Sequence, residues 1–142
     1  MLELAEVRDG DVVYDLGCGD GRIVIEAVKR HRVRGVCIDI DPQRIREAQL
    51  NAERAGVANS IRFLTQDLFA SDLSDATVVM LFLWPEVNLR LKPKLQRELR
   101  PGTRVVSHWH DMGAWKPERT LEVAPRGRAR PVYLWTISGN ER

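Results

Sequence analysis

Cysteine, phosphate-binding signatures and long apolar runs are what this sequence has least of. Its two cysteines, Cys18 and Cys37, make neither a metal-ligand set nor a disulfide framework, so a reducing cytoplasm is the default compartment. No apolar run approaches the ~20 residues of a membrane span, and the N-terminus has no signal-peptide pattern. Neither sign of charge dominates: 22 basic and 20 acidic residues leave a net +2, too small to imply a nucleic-acid partner. A dinucleotide fingerprint starting at Gly17 would need glycine at position 22, where Arg22 stands. Nor is there a Gly-Lys-Ser/Thr sequence for a triphosphate. What is present is 142 residues, 44% apolar and 30% charged, which make one globular domain over 1–142 with a real core.

The chain is organised around Val12-Val13-Tyr14-Asp15-Leu16-Gly17-Cys18-Gly19-Asp20-Gly21-Arg22. A short apolar run ends in Asp15, glycine recurs at 17, 19 and 21, and a helical pattern follows at once. That order reads as a strand, a tight turn and a helix N-terminus, where α/β sheets hold nucleotide-like ligands. The glycines admit positive φ and let a ligand approach without meeting Cβ atoms. Asp15 and Asp20 flank the turn, poor company for phosphate and good company for a cation. S-adenosylmethionine carries a sulfonium and an ammonium and has no phosphate, so the acidic turn points to it. The plainer alternative is a glycine turn that closes an α/β unit and binds nothing.

Downstream, a helix over Arg22 to Arg30 buries Ile23, Val24, Ala27 and Val28, with Lys29 and Arg30 favourable to its dipole. Strand two, Val33 to Ile40, carries Asp39. That residue lies 22 positions after Gly17, near the ~20-residue offset at which a carboxylate meets ribose hydroxyls. Asp41 before Pro42 reads as the N-cap of a helix that runs to Ala55, where Gly56 stops it. Strand three is Ile61 to Thr65, and strand four, Thr77 to Leu83, is apolar enough to be buried on both faces. Leu91, Leu95 and Leu99 mark a helix over 89–99 that Pro93 opens or kinks. On it, Arg90, Lys92, Lys94 and Arg97 form the solvated face. Strand five is Thr103 to His108, and Thr120 to Ala124 and Val132 to Ser138 read as a hairpin. Arg126, Arg128 and Arg130 in its loop are simply exposed, or else contact an acidic partner or RNA.

The run Asp15-Leu16-Gly17-Cys18-Gly19-Asp20-Gly21 resembles motif I of the class I, seven-stranded S-adenosylmethionine-dependent methyltransferases. The resemblance implies a Rossmann-like α/β fold: a mostly parallel seven-stranded sheet in the order 3-2-1-4-5-7-6, ending in an antiparallel hairpin. It implies S-adenosyl-L-methionine as cofactor, its methionine end at Asp15, Gly17, Cys18, Gly19 and Gly21. Asp39 and Ile40 then take the ribose, Asp67 and Leu68 the adenine, with Leu83 beside them. Residues 1–11 are a short segment for this class, so a substrate cap is expected to be minimal or absent.

More narrowly, Leu83 through His108, with Asp111-Met112-Gly113 and Val132-Tyr133-Leu134-Trp135, resembles prokaryotic relatives of two mitochondrial lysine N-methyltransferases. Those enzymes act on the ATP synthase c subunit and the adenine nucleotide translocase. The resemblance implies methylation of a protein lysine, with Leu83-Trp84-Pro85-Glu86-Val87-Asn88 where the nucleophile is presented. It is not the Asn-Pro-Pro-Tyr type of base and glutamine methyltransferases. A lysine, whose ordinary pKa is about 10.4, must first lose its proton. Glu86, Asn88, His108 and Asp111 are the candidate catalytic groups, and Trp84 and Pro85 the substrate wall. Their plainer roles are helix starts for Glu86 and Asn88, a turn for Asp111 and a strand end for His108. No metal is expected. The partner is a protein with an accessible lysine. A small-molecule O- or N-methyltransferase and a non-catalytic S-adenosylmethionine-binding scaffold stay open as alternatives.

Overall fold

The computed structural model of the chain describes residues 5–108, 110, 112, 113, 115–123 and 130–137. Asp111, Arg126 and Arg128, singled out above, lie outside these residues, as does most of the expected hairpin loop. Strands β1 (Val12–Leu16), β2 (Arg34–Asp39), β3 (Ile61–Thr65), β4 (Val78–Leu81) and β5 (Arg104–His108) are followed by β6 (Arg119–Val123) and β7 (Arg130–Thr136). Helix α1 (Arg22–Arg30) follows β1, α2 (Pro42–Ala55) follows β2 and α3 (Pro85–Glu98) follows β4. The seven strands make one sheet in the order β3-β2-β1-β4-β5-β7-β6, as expected. Pairing is parallel from β3 through β5, and β7 runs antiparallel to both β5 and β6.

The central strands are buried on both faces, which is why β1 and β4 read as unbroken apolar runs. Tyr14 and Leu16 share one face with Val79, Leu81 and the α3 leucines Leu91 and Leu95. Val13, Met80 and Val106 point to the other face with Ala27 of α1. Gly21, at φ 82°, starts α1. Asp41 caps α2 by accepting from the Gln43 N–H at 2.9 Å, with Pro42 at the first helical position and Gly56 left-handed at the end.

Three expectations are corrected here. The third helix starts at Pro85, four residues before the expected Leu89, because Trp84 takes the extended backbone that precedes a proline. Pro93 sits inside this helix, where the buried stripe of Asn88, Leu91 and Leu95 outweighs one missing hydrogen bond. Two of its cations are not simply solvated: Arg90 lies over the Phe69 ring at 4.6 Å, and Lys94 pairs with Glu98 at 2.5 Å. The third correction concerns cysteine. Cys18 and Cys37 form a disulfide, their Cα atoms 5.4 Å apart, because the turn after β1 folds back over β2. Spacing along the chain could not show that closeness, and the bond removes the argument for a reducing compartment.

At the N-terminal ends of β1 and β5, Arg104 Nη2 donates to Asp11 Oδ1 at 2.6 Å, while Nη1 donates to the carbonyls of Ala5 and Glu6. This ties the segment before β1 to β5. Closer to the site, α1 can lie flat on the sheet only because β2 has no side chain at position 35. A Cβ there would come within 2.5 Å of Val24 Cγ2 and 3.3 Å of Ile61 Cγ1. Gly35→Ala is therefore expected to lower stability by about 1–3 kcal/mol through overpacking, read from urea unfolding. An unchanged midpoint would mean that α1 is free to shift.

Candidate functional site

The turn after β1 holds its shape through backbone bonds to the end of β2. The N–H groups of Gly17 and Cys18 both donate to the Ile38 carbonyl, at 2.8 and 3.1 Å. The Gly19 N–H donates to Asp39 Oδ2 at 3.0 Å, and the other Asp39 oxygen accepts from the Asp41 N–H. Asp39 thus orients the turn while keeping lone pairs for hydroxyl donors. Gly17 and Gly19 both have positive φ, 71° and 58°. A Cβ on Gly17 would lie 2.7 Å from Leu83 Cδ2, whereas one on Gly19 would meet nothing within 4 Å. The turn is closed toward β4 and open outward.

Three cavities share walls along this edge. The first, about 330 Å³, is lined by Asp15, Gly17, Cys18, Gly19, Arg44 and Phe82, among others. The second, about 460 Å³, brings together Gly17, Asp39, Ile40, Asp67, Leu68, Leu83 and Trp84. The third, about 220 Å³, is lined by Phe82, Leu83, Trp84, His108 and His110. Phe82 lines all three.

The carboxylates of the turn divide their roles. Asp20 is held by Arg22 at 2.8 Å, and that guanidinium keeps its carboxyl below the usual range. It is already paired, so the expected attraction for a cation falls to Asp15. Asp15 is buried and its Oδ1 has no hydrogen-bond partner. Burial pushes its carboxyl up to about 7, against a hydrogen bond from the Val24 N–H, and the charges of Asp39 and Asp20 raise it further. A buried acceptor left open beside a cavity fits a ligand that brings a cationic donor. The first cavity thus suits the ammonium of S-adenosylmethionine, and the second, with Asp39, Asp67 and apolar Ile40 and Leu68, its nucleoside. Asp67 also caps the 3-10 turn Leu68–Ala70, accepting from the Phe69 N–H at 2.9 Å.

The remaining candidates separate by position. Gly21 lines none of the three cavities. A Cβ on it would lie 3.0 Å from Ala48 Cβ, so its glycine serves the approach of α1 to α2. Glu86 is exposed in the first turn of α3, where a carboxylate suits the helix dipole. Pro85 opens that helix, and neither residue lines these cavities. Asn88 is fully buried, its Nδ2 donating to Ser107 Oγ and to the His110 carbonyl, each at 3.1 Å. It braces the chain after β5. His108 is stacked on Phe82, with ring centroids 4.6 Å apart, and faces the third cavity.

Sequence reasoning missed Phe82, His110 and Arg44. Phe82 was hidden because strand four was expected to run through Leu83. The strand stops at Leu81, and Phe82, Leu83 and Trp84 turn out as a rim. His110 was passed over because only a turn returns it to the cavity of His108. That turn is held by the His110 N–H donating to the His108 carbonyl at 2.9 Å. Among the described residues, no group of His, Cys, Asp or Glu is arranged to hold a metal ion.

Comparison with known proteins agrees with this geometry. A family model for the ANTKMT methyltransferase domain matches residues 15–119. A protein-lysine N-methyltransferase of Saccharolobus islandicus (strain REY15A) is 47% identical over 138 residues, covering 96% of this chain and 86% of the relative. The adenine nucleotide translocase lysine N-methyltransferase of Mus musculus is 38% identical over 99% of this chain, which spans 59% of the mouse protein. A crystal structure of an RNA methyltransferase from Salinibacter ruber in complex with S-adenosyl-L-homocysteine has a TM-score of 0.92 at 52% identity. It covers 97% of this chain and 88% of its own.

The Asp15 carboxyl stands above its ordinary value of 3.8, so folding favours its protonated form. The stability this contributes is full below that value and is lost as pH rises through about 7. A ligand ammonium favours the ionised form instead. Binding of S-adenosylhomocysteine is expected to release protons near neutral pH. Its affinity should fall, by at most about tenfold per pH unit, as pH drops below the Asp15 value. Asp15→Asn is expected to bind it more weakly yet, without ligand, to melt at a higher temperature than wild type at pH 8. Calorimetry in buffers of different ionisation heat and thermal melts read both effects. Unchanged affinity in the variant would remove Asp15 from the site.

Proposed function

This chain belongs to the ANTKMT methyltransferase domain family, and from that membership we propose that it methylates lysine side chains of a protein substrate. It is an S-adenosylmethionine-dependent methyltransferase. The observation that carries the lysine reading is the third cavity, lined by Phe82, Leu83, Trp84, His108 and His110 and opening beside both cofactor cavities. Relatives named for protein-lysine methylation, in Saccharolobus and mouse, support it.

When bound, S-adenosylmethionine supplies a methyl group on a sulfonium, already activated for displacement. The protein's own work is binding, orientation and removal of a proton. The glycine turn and Asp15 hold the methionine end, Asp39 the ribose hydroxyls, and Asp67 with Leu68 the adenine. Trp84 is 70% exposed and forms the outer lip of the third cavity, an aromatic face suited to a lysine stem and its cation. Beside it, the apolar walls of Phe82 and Leu83 disfavour the ammonium. An imidazole nitrogen of His108 or His110 accepts its proton as the amine enters. Asn88 and Ser107 fix the His110 backbone: Ser107 Oγ donates to the same carbonyl at 2.5 Å. They set the imidazole wall without touching substrate.

The name of the Salinibacter neighbour supports a second reading, methylation of RNA. One assay separates the two. Purified protein is incubated with methyl-labelled S-adenosylmethionine and, in parallel, with cell protein, total RNA and small metabolites. Label is expected in protein, recovered as methyl-lysine after acid hydrolysis. Label confined to RNA or to metabolites would overturn the lysine reading and leave the cofactor site standing. Asp39→Ala, which removes the ribose carboxylate and the bond that orients Gly19, is expected to weaken S-adenosylhomocysteine binding on the order of tenfold or more. His110→Ala, at a residue that lines the third cavity and neither of the other two, should raise KM for the protein substrate with little change in that affinity.

A further inference from the structure

We propose that Cys18 and Cys37 form a reversible two-electron redox site whose state sets how tightly S-adenosylmethionine is held. The proposal rests on the methyltransferase reading of the same cavity and adds a control to it. Cys18 lies between Gly17 and Gly19 in the turn that lines the first cavity, and is itself part of that lining. Cys37 lies in the middle of β2, two residues before Asp39, in register with Asp15 of β1 and Phe63 of β3. The disulfide therefore ties the cofactor turn to the sheet between the two carboxylates assigned to the ammonium and the ribose.

Two thiols cannot occupy bonding distance, so reduction forces one sulfur to withdraw. Cys37 has no room to do so: it is fully buried, with strands paired on both sides. The movement falls on Cys18, in a turn whose Gly17, Gly19 and Gly21 all have positive φ. What then holds the turn is a few hydrogen bonds: those of Gly17 and Cys18 to the Ile38 carbonyl, that of Gly19 to Asp39, and that of Asn51 Nδ2 to the Asp20 carbonyl. The oxidised form is the preorganised one, and preorganisation is what the ligand need not then supply.

The chemistry balances without any group the protein lacks, given a dithiol. A thiolate of the dithiol attacks Cys18 Sγ, the sulfur beside the cavity. The S–S bond breaks, and Cys37 leaves as a thiolate that takes up a proton. The second thiol of the reagent closes its own disulfide and releases Cys18 as a thiol. Two electrons and two protons pass to the protein, and a disulfide oxidant such as glutathione disulfide reverses the step. Coupling is reciprocal: a reduction that weakens cofactor binding by some factor is itself made less favourable by bound cofactor, by the same factor.

The test uses the whole protein, S-adenosylhomocysteine as ligand and binding as the readout. Calorimetric titration is run on the air-oxidised protein and on the dithiothreitol-reduced protein, with thiols counted after denaturation. The reduced form is expected to bind roughly 5- to 10-fold more weakly. Saturating S-adenosylhomocysteine is expected to slow thiol release by dithiothreitol. The Cys18→Ser, Cys37→Ser double variant should bind like the reduced form whether or not dithiothreitol is present. Should that variant fold poorly, the wild-type titrations in the two redox states decide, since ligand seated against Cys18 slows dithiothreitol by shielding alone. Equal affinity in both states, or free thiols in the air-oxidised protein, overturns the proposal and leaves the cofactor site intact. Failure to bind in either state overturns both.

Discussion

The attachment of the turn after β1 to the end of β2 is the constraint on which the site depends. Donors from Gly17, Cys18 and Gly19 reach across to Ile38 and Asp39, and a disulfide runs beside them. Because the attachment is to β2, the carboxylate at the end of that strand is placed together with the turn and not independently of it. The turn lines the first cavity, and Gly17 and Asp39 together line the second. Positive φ at Gly17 and Gly19 is the local requirement that the attachment imposes.

Against that rigid half stands a less satisfied one. Asp15 is buried with an oxygen that has no partner, a position that costs stability in the free protein. The same vacancy of hydrogen bonding makes it useful to a cationic ligand. Phe82 and Trp84 are likewise apolar surfaces left out of the core at the end of β4. Stability is concentrated in the strands and binding in the positions where the strands have just stopped, as the topology of an open α/β sheet favours.

The fold was legible because its signals were local. Asp41-Pro42 and Gly56 bracket α2 by their own chemistry, and the apolar runs of β1 and β4 announce buried parallel strands. The sheet order came instead from a family resemblance, since nothing in the spacing of strands dictates it. Asp15 and Asp39 were legible for the same local reason, each standing in or at the end of an apolar run, whereas Asp67, separated from that of β3 by Thr65 and Gln66, came from the resemblance. What could not be read were features made by return of the chain. The Cys18–Cys37 bond joins residues 19 positions apart through a turn whose path is set by hydrogen bonds. Asp20 looked like half of an acidic mouth until Arg22 was seen to hold it. Asn88 was a candidate for chemistry because of its place after β4. Its burial against Ser107 and the His110 carbonyl depends on how β5 ends, which no local pattern encodes.

The sheet order also decides how this molecule can meet others. It leaves β3 and β6 as open edges, each five residues long. Arg62 is exposed on the first and Arg119, paired with Glu6, on the second. Short edges that carry charge are poor templates for a further strand, so intermolecular β-pairing is discouraged on both sides. Of the five exposed large apolar side chains among the described residues, three, Ile40, Phe82 and Trp84, gather around the cavities. With strand addition discouraged, that rim is an apolar surface open to contact among the described residues, and a colloidal encounter and a substrate encounter draw on the same few side chains.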